Sequence, residues 1–285
     1  MLALPGLVYF LIFKYLPMAG IVIAFQDFSP FLGIADSAWV GFSHFERLFS
    51  NPDFPILFRN TMAISLMNLV FFFPMPIILA LLLNEVRSSL YKRAVQSIIY
   101  LPHFLSWVII STLTFIMLSS DGVVNLLIDH FGFSKRNFLT NPDIFWFILT
   151  GQTMWKEAGW GTIIFLAAIA GVNPQLYEAA RIDGASRFRQ IWHITLPAIR
   201  NVIFIMLILR LGDIMEVGFE QVFLMYNGAV SDVAEVFDTY VYRTGVQQGQ
   251  FSYSTAVGLF KSVVGLVLVI LSNLLAKKFG EEGVY

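Results

Sequence analysis

Residues Asn173 to Pro197 read NPQLYEAARIDGASRFRQIWHITLP, a polar and basic island between two long apolar segments. Asn173-Pro174 makes a good helix start: asparagine caps free N–H groups, and proline loses nothing at the first helical position. Glu178, Ala179 and Ala180 continue that helix, and the small alanines let another surface approach closely. Asp183-Gly184 predicts a turn, because glycine takes backbone angles that other residues resist. A second short helix is expected over about Ser186 to Ile194, with Phe188, Ile191 and Trp192 at helical spacing. Leu196-Pro197 ends it and opens the next apolar segment. Spacing alone leaves two readings, an ordinary amphipathic loop or a helix–turn–helix built for docking.

The rest of the chain decides what the island is attached to. Of 285 residues, 57% are hydrophobic and 13% charged, and the mean hydropathy is +0.73. A soluble domain carries about 25% charged residues, so this chain lacks the side chains for a solvated surface and reads as an all-α polytopic membrane protein. The net charge of −1 gives no field for nucleic acid, and the absence of cysteine excludes disulfides and Cys-based metal sites. Leu2 to Phe25 is too long for a signal-peptide core and lacks a small-residue cleavage site after it, so it is expected to stay as a span.

Six segments can each cross a core that needs about 20 apolar residues: about 2–25, 56–83, 95–118, 143–172, 197–220 and 253–276. The island, 173–196, lies between the fourth and fifth. Pro74 and Pro76 predict a kink in the second span. The linker Ser119 to Asn141 is polar. The connection Gln221 to Ser252 is expected to hold one amphipathic helix: Asp232 and Glu235 have capping-box spacing, and Val233, Val236, Phe237, Tyr240 and Val241 share a face.

Positive charge then orients the bundle. The link at 85–93, the island with Arg200, and the tail carry nine Lys and Arg; the opposite loops and their edges carry five. The island and both termini are therefore expected in the cytoplasm. No basic flank precedes the first span, which suggests a trimmed start, and a short acidic tail follows Lys277-Lys278.

The island also carries a resemblance. Glu178-Ala-Ala, Gly184 six residues after Glu178, and Ile194-Thr-Leu196-Pro197 are similar, without gaps, to the EAA signature of permease subunits in bacterial ABC importers. Asp183-Gly184-Ala185 fits the sugar-type version. PGLVYFLIFKYLPMAGIVIAFQDFSPFLGI, NTMAISL, LALLLNEV, YLPHFLSWVI and Trp155-Lys156 with Gly159 resemble the branch that imports oligo- and polysaccharides, with alginate importers the nearest named kind. The resemblance implies a single transmembrane permease domain of the type I importer fold over residues 1–285. It also implies an ATPase-docking surface formed by Glu178, Ala179, Ala180, Asp183, Gly184, Ala185, Phe188, Leu196 and Pro197.

It implies partners as well: a second permease subunit in a heterodimer, two cytoplasmic ATPase subunits, and an external solute-binding protein seated on the outer loops at 26–55 and 221–252. The chain has no G-x-x-x-x-G-K-[ST] to cradle phosphates, so ATP and magnesium are expected on the ATPase and no cofactor on this chain. His44, His103, His130 and His193 are scattered, with no H-E-x-x-H pair for a metal and no nucleophile elbow nearby. An enzyme is therefore not expected, and His193 is expected on the island's surface. An ion-coupled secondary transporter half or a channel subunit are the alternatives.

Ionisable residues at membrane depth mark the candidate path, because their cost demands an interior or watery position. These are Lys14, Lys156, Glu157, Arg210, Asp213 and Lys261; Gln152, Trp155 and Trp160 could hydrogen-bond or stack on sugar. Arg210 and Asp213 stand three apart on one face, where an ion pair can form. Lys156 and Glu157 are adjacent and are not expected to face each other. Basic residues at depth suggest an anionic sugar.

Overall fold

A computed structural model describes residues 4–278; Leu2, where the first span was expected to begin, and the acidic tail lie outside them. The first span, α1, runs over Leu4–Phe25 and lies almost wholly open. Gln26–Asp27 (β1) and Ala38–Trp39 (β2) form a two-stranded antiparallel ribbon with Gln26 opposite Trp39. A short helix, α2 (Ser43–Ser50), leads into the second span, α3 (Phe54–Glu85). Phe25, Trp39, Phe42 and Phe45 cluster where α1 meets the ribbon, in keeping with the aromatic belt of a membrane interface.

The third span differs from expectation. Helix α4 (Ser89–Tyr100) stops at a 3₁₀ turn, Leu101–Phe104, and a new helix, α5 (Trp107–Leu118), starts after it. Pro102 offers no N–H to continue the ladder, although Leu101 before it stays helical, and the backbone turns extended at Leu105 and Ser106; Ser106 then caps α5 by accepting from Ile109 N at 3.3 Å. The polar linker after it holds a further helix, α6 (Val123–His130), so that Trp107–His130 is the apolar length here. The fourth span, α7 (Pro142–Ala170), is unbroken and capped by Asn141, which accepts from Asp143 N.

The island folds as two short helices, α8 (Pro174–Ile182) and α9 (Arg187–Ala198); α8 bends 72° from α7. The fifth span, α10 (Arg200–Gly212), bends 61° from α9, the break falling at Ile199 rather than at Pro197. It ends eight residues short of the expected Glu220. There Ser65 Oγ donates to Ile214 O and Asp238 Oδ2 accepts from Val217 N at 3.4 Å, so side chains take up backbone groups that a helix would have paired. The next helix, α11 (Phe219–Met225), starts after Gly218 at φ 89°.

The single helix expected between Gln221 and Ser252 is replaced by one helical turn, Ser231–Ala234, and a separate helix, α12 (Phe237–Val241), that continues as a π turn to Gln247. The interruption comes from outside: Asn60 Nδ2 donates to both Asp232 O (3.0 Å) and Glu235 O (2.9 Å). Asp232 and Glu235 do not form a capping box. Thr239 Oγ1 instead accepts from Val236 N at 3.1 Å, a one-sided cap, since valine has no side-chain acceptor. Val236, Phe237 and Tyr240 are buried in the core here. The last span, α13 (Phe251–Lys278), is unbroken. Among the described residues four helices are long and apolar enough to span, and counting each of the two bent pairs as one span raises the number to six.

Three prolines inside the helices share one device. π turns at Leu11–Tyr15, Asn68–Phe72 and Ile191–Thr195 each end two residues before a proline, Pro17, Pro74 and Pro197 respectively. A wider turn makes room where the ring would collide with the preceding turn's carbonyl. The kink expected at Pro74 and Pro76 falls at such a turn, Asn68–Phe72, and α3 runs on through it as one 32-residue span.

Candidate functional site

At one end of the bundle, α8 and α9 project as a helix–turn–helix. Asn173 Oδ1 accepts from Gln175 N at 3.0 Å, and Ser186 Oγ caps α9 by accepting from Arg189 N at 3.4 Å. Between them Gly184 sits at φ +73°. Ala185 N donates to Ala180 O (2.8 Å) and Gly184 N to Arg181 O (3.1 Å), the paired closure of a Schellman turn. That turn fixes the angle between the helices.

The outer face of the pair is bare. Neither α8 nor the first turn of α9, Arg187–Gln190, buries a residue. Ile182 is 87% exposed, and Phe188 stacks beside Trp192 with both rings open. Glu178, Ala179, Asp183, Gly184 and Pro197 are exposed, whereas Ala180, Ala185 and Leu196 are half-buried. His193 is exposed, with Nδ1 3.0 Å from Arg189 O.

The inner face is held by residues the sequence did not single out. Arg187 ties the pair to the bundle through Glu85 at the end of α3, while Tyr177 OH meets Thr195 Oγ1 at 2.9 Å and Gln190 Nε2 donates to Ala185 O at 2.8 Å within the pair itself. Asn84, Glu85, Tyr177, Arg181 and Arg187 border a cleft of 530 Å³ between α3 and the pair. Only the opposite charges of Glu85 and Arg187 offered a sequence signal, and 102 residues separate them.

At mid-depth, α7 closes on the break in the third span. Lys156 is buried, and its Nζ donates to His103 O (2.6 Å) and Leu105 O (2.8 Å), two carbonyls beside the break. It lies 3.5 Å from Glu157 Oε1. The adjacent pair does meet, contrary to expectation, because both side chains reach the same break. Glu157 Oε2 is also 2.7 Å from His103 Nδ1, and His103 stacks on Trp160 at 4.4 Å between ring centroids. His103 was not among the sequence's path candidates.

The other candidates are divided. Arg210 stands over the Phe72 ring at 5.5 Å and lies within electrostatic reach of Asp213 and Glu157. Among the described residues Arg210 and Asp213 do not close an ion pair within contact distance. Asp213 and Lys261 share a 250 Å³ cleft with Glu216, while Lys261 pairs with Asp238. Gln152 is buried; its amide donates to Thr114 and accepts from Gln221 Nε2 at 2.9 Å. Trp155 lines a separate apolar cleft of 400 Å³ with Met75 and Ile98. Lys14 is exposed on α1, inside its π turn. The structure therefore joins Lys156, Glu157 and Trp160 into one cluster with His103, sets Arg210 within electrostatic reach of it, and leaves Gln152, Trp155 and Lys14 outside it.

Lys156→Met leaves the carbonyls of His103 and Leu105 without their donor where water is scarce. The expected loss is about 3 kcal/mol, read as a lower thermal midpoint of the purified protein in detergent. An unchanged midpoint would mean the break satisfies itself.

A bundle of spans with a capped helix–turn–helix projecting from one end defines a multi-pass membrane protein. Residues 72–281 match the family described as binding-protein-dependent transport system inner membrane component. The chain belongs to that family. It is 60% identical to the polygalacturonan/rhamnogalacturonan transport system permease protein YteP of Bacillus subtilis (strain 168), over 100% of this chain and 89% of the relative. It is 27% identical to the arabinooligosaccharides transport system permease protein AraP of the same organism, over 98% of this chain and 88% of AraP. Among solved structures it is similar to a chain of a bacterial alginate ABC transporter in complex with alginate pentasaccharide-bound periplasmic protein. The TM-score is 0.91 and the identity 43%, over 99% of this chain and 95% of that one.

Proposed function

We propose that this chain is the transmembrane subunit of an ATP-driven importer, forming half of the pathway for an oligo- or polysaccharide of acidic type. Its relatives support the substrate class: they include a polygalacturonan/rhamnogalacturonan transport permease and a chain of an alginate ABC transporter. The observation that carries the coupling role is the bare outer face of α8 and α9, with Glu178, Ile182, Phe188 and Trp192 open to a partner. That partner is a separate ATPase, present in two copies, which binds the ATP and magnesium. This chain supplies no catalytic group and needs no cofactor.

The pair is wired to move the spans. ATPase closure would shift α8 and α9, passing the motion to α3 through Arg187–Glu85 and to α10 through the bend at Ile199. The pathway would run along the cluster of His103, Lys156, Glu157 and Trp160 and past Arg210. There the exposed face of Trp160 offers a stacking surface and Arg210 a positive charge. In this reading both termini and the island are cytoplasmic, a second permease subunit completes the pathway, and a solute-binding protein docks on the outer loops at 26–55 and 221–252.

The test is co-purification of the ATPase with tagged Glu178→Lys. The variant should insert normally, yield less ATPase in the complex, and lose sugar-stimulated ATP hydrolysis at least about tenfold, the size of one lost charge-assisted contact. Full retention of ATPase and hydrolysis would overturn the coupling assignment. Transport that persists without any ATPase would instead point to an ion-coupled carrier.

A further inference from the structure

The outer connection holds a cleft that the pathway does not use. It measures 220 Å³, room for about one sugar ring, and opens between the end of α11 and the segment from Glu235 to Gln247. Phe223 and Tyr242 form one wall, with centroids 5.4 Å apart at 75°. Tyr226 and Gln247 supply polar groups at its edge. Its charged element is the pair Arg243–Glu235, 3.4 Å apart.

The two members of that pair are unequally placed. Arg243's side chain is 40% exposed and Glu235's only 14%, so the cleft presents the cation and keeps its counter-ion behind it. The same Glu235 oxygen, Oε1, also accepts from Thr239 Oγ1 at 3.2 Å. Burial pushes the Glu235 carboxyl up, while Arg243 and Thr239 draw it down. Among the described residues Arg243 Nε is buried without a hydrogen-bond partner, and the guanidinium leans 5.5 Å over Tyr240. Its contact with Glu235 is an ion pair at 3.4 Å, which leaves the N–H fork free to meet a second carboxylate.

An arginine paired with a largely covered carboxylate, beside the exposed Phe223 ring and the half-buried Tyr242 ring, has the chemistry for an acidic sugar: the guanidinium for a carboxylate, the rings for the apolar face of the pyranose. We infer that the cleft lined by Phe223, Tyr242 and Arg243 binds one uronate residue of the substrate on the outer side of the protein, ahead of the spanning pathway. The inference rests on the acidic-sugar reading above. It adds a site that would select for charge before the sugar enters the bundle.

The experiment is uptake by the assembled transporter in proteoliposomes, with its binding protein, comparing trigalacturonate with the same trisaccharide carrying methyl-esterified carboxyls. Arg243→Gln should raise KM for the acid by about tenfold, the equivalent of one charge-assisted contact, and leave KM for the ester unchanged. Phe223→Leu should raise KM for both, since a ring face does not read charge. An unchanged KM for the acid in Arg243→Gln overturns the site. An equal rise for acid and ester in that variant, with normal assembly, also overturns it by showing a packing role. If the wild-type transporter fails to import the acid while importing the ester, the acidic-sugar reading falls and the site falls with it. That result is separable because it appears before any substitution.

Discussion

Gly184→Val is expected to reduce coupled sugar uptake to background while the protein still inserts in the membrane. Gly184 sits at φ +73°, and an added Cβ would meet no atom within 4 Å, so the penalty is conformational rather than steric against neighbours. A left-handed backbone costs an L-residue roughly 1–2 kcal/mol, and more for a β-branched side chain. The strain breaks the closure of Ala185 N on Ala180 O and Gly184 N on Arg181 O, and the angle between α8 and α9 is lost. Gly184→Asn is the control, because asparagine is the residue that next best tolerates this C-cap position. Uptake should survive largely in Asn and fail in Val, with both variants at wild-type abundance in the membrane. Equal uptake in the two variants would mean the angle does not matter; loss of membrane protein in Val would make the turn a folding element.

Gly159→Ala is expected to destabilise the bundle strongly, although alanine is the better helix former. A Cβ at Gly159 would lie 1.9 Å from Ile99 O and 2.5 Å from Ile99 C. Both are backbone atoms, so no rotamer change can relieve the overlap, and α7 must separate from the end of α4. Overpacking of this kind costs about 1–3 kcal/mol or more. Close backbone approach through small residues is the means by which helices pack where lipid removes the hydrophobic drive. Gly151 is on the same helix and has nothing within 4 Å, so Gly151→Ala should gain up to about 1 kcal/mol from helix propensity. Thermal unfolding in detergent should move the two variants in opposite directions. A Gly159→Ala midpoint at or above wild type would show that α4 yields freely.

The same contact bears on the resemblance to sugar permeases. Gly159 stands in the Trp155-Lys156…Gly159 pattern, and its place in the fold is a close crossing. Lys156 likewise spends its donors on the broken span rather than standing free. Residues that mark the pattern in sequence are thus, in this chain, largely what holds the third and fourth spans together at mid-depth.

How much was legible follows the range of each interaction. The island's caps and turn could be read because Asn173, Ser186 and Gly184 act on atoms within a few residues of themselves. The unbroken spans α7 and α13 could be read because apolar length is a local property. The break at Leu101–Ser106 could not be placed from Pro102 alone: it is held by Lys156, more than fifty residues away. The helix expected near Asp232 failed for the same reason, since Asn60, 172 residues distant, takes the carbonyls that would have continued it.

By itself, the sequence determined that this is a membrane protein and where apolar length, caps and a φ-permissive glycine place its helices. Tertiary structure alone decided which helices break, that adjacent Lys156 and Glu157 meet at one of those breaks, and that Arg187 ties the island Asn173–Pro197 to Glu85. The physical reason is that a buried charge or an unpaired carbonyl must find a partner in three dimensions. Spacing along the chain states that need without naming the partner.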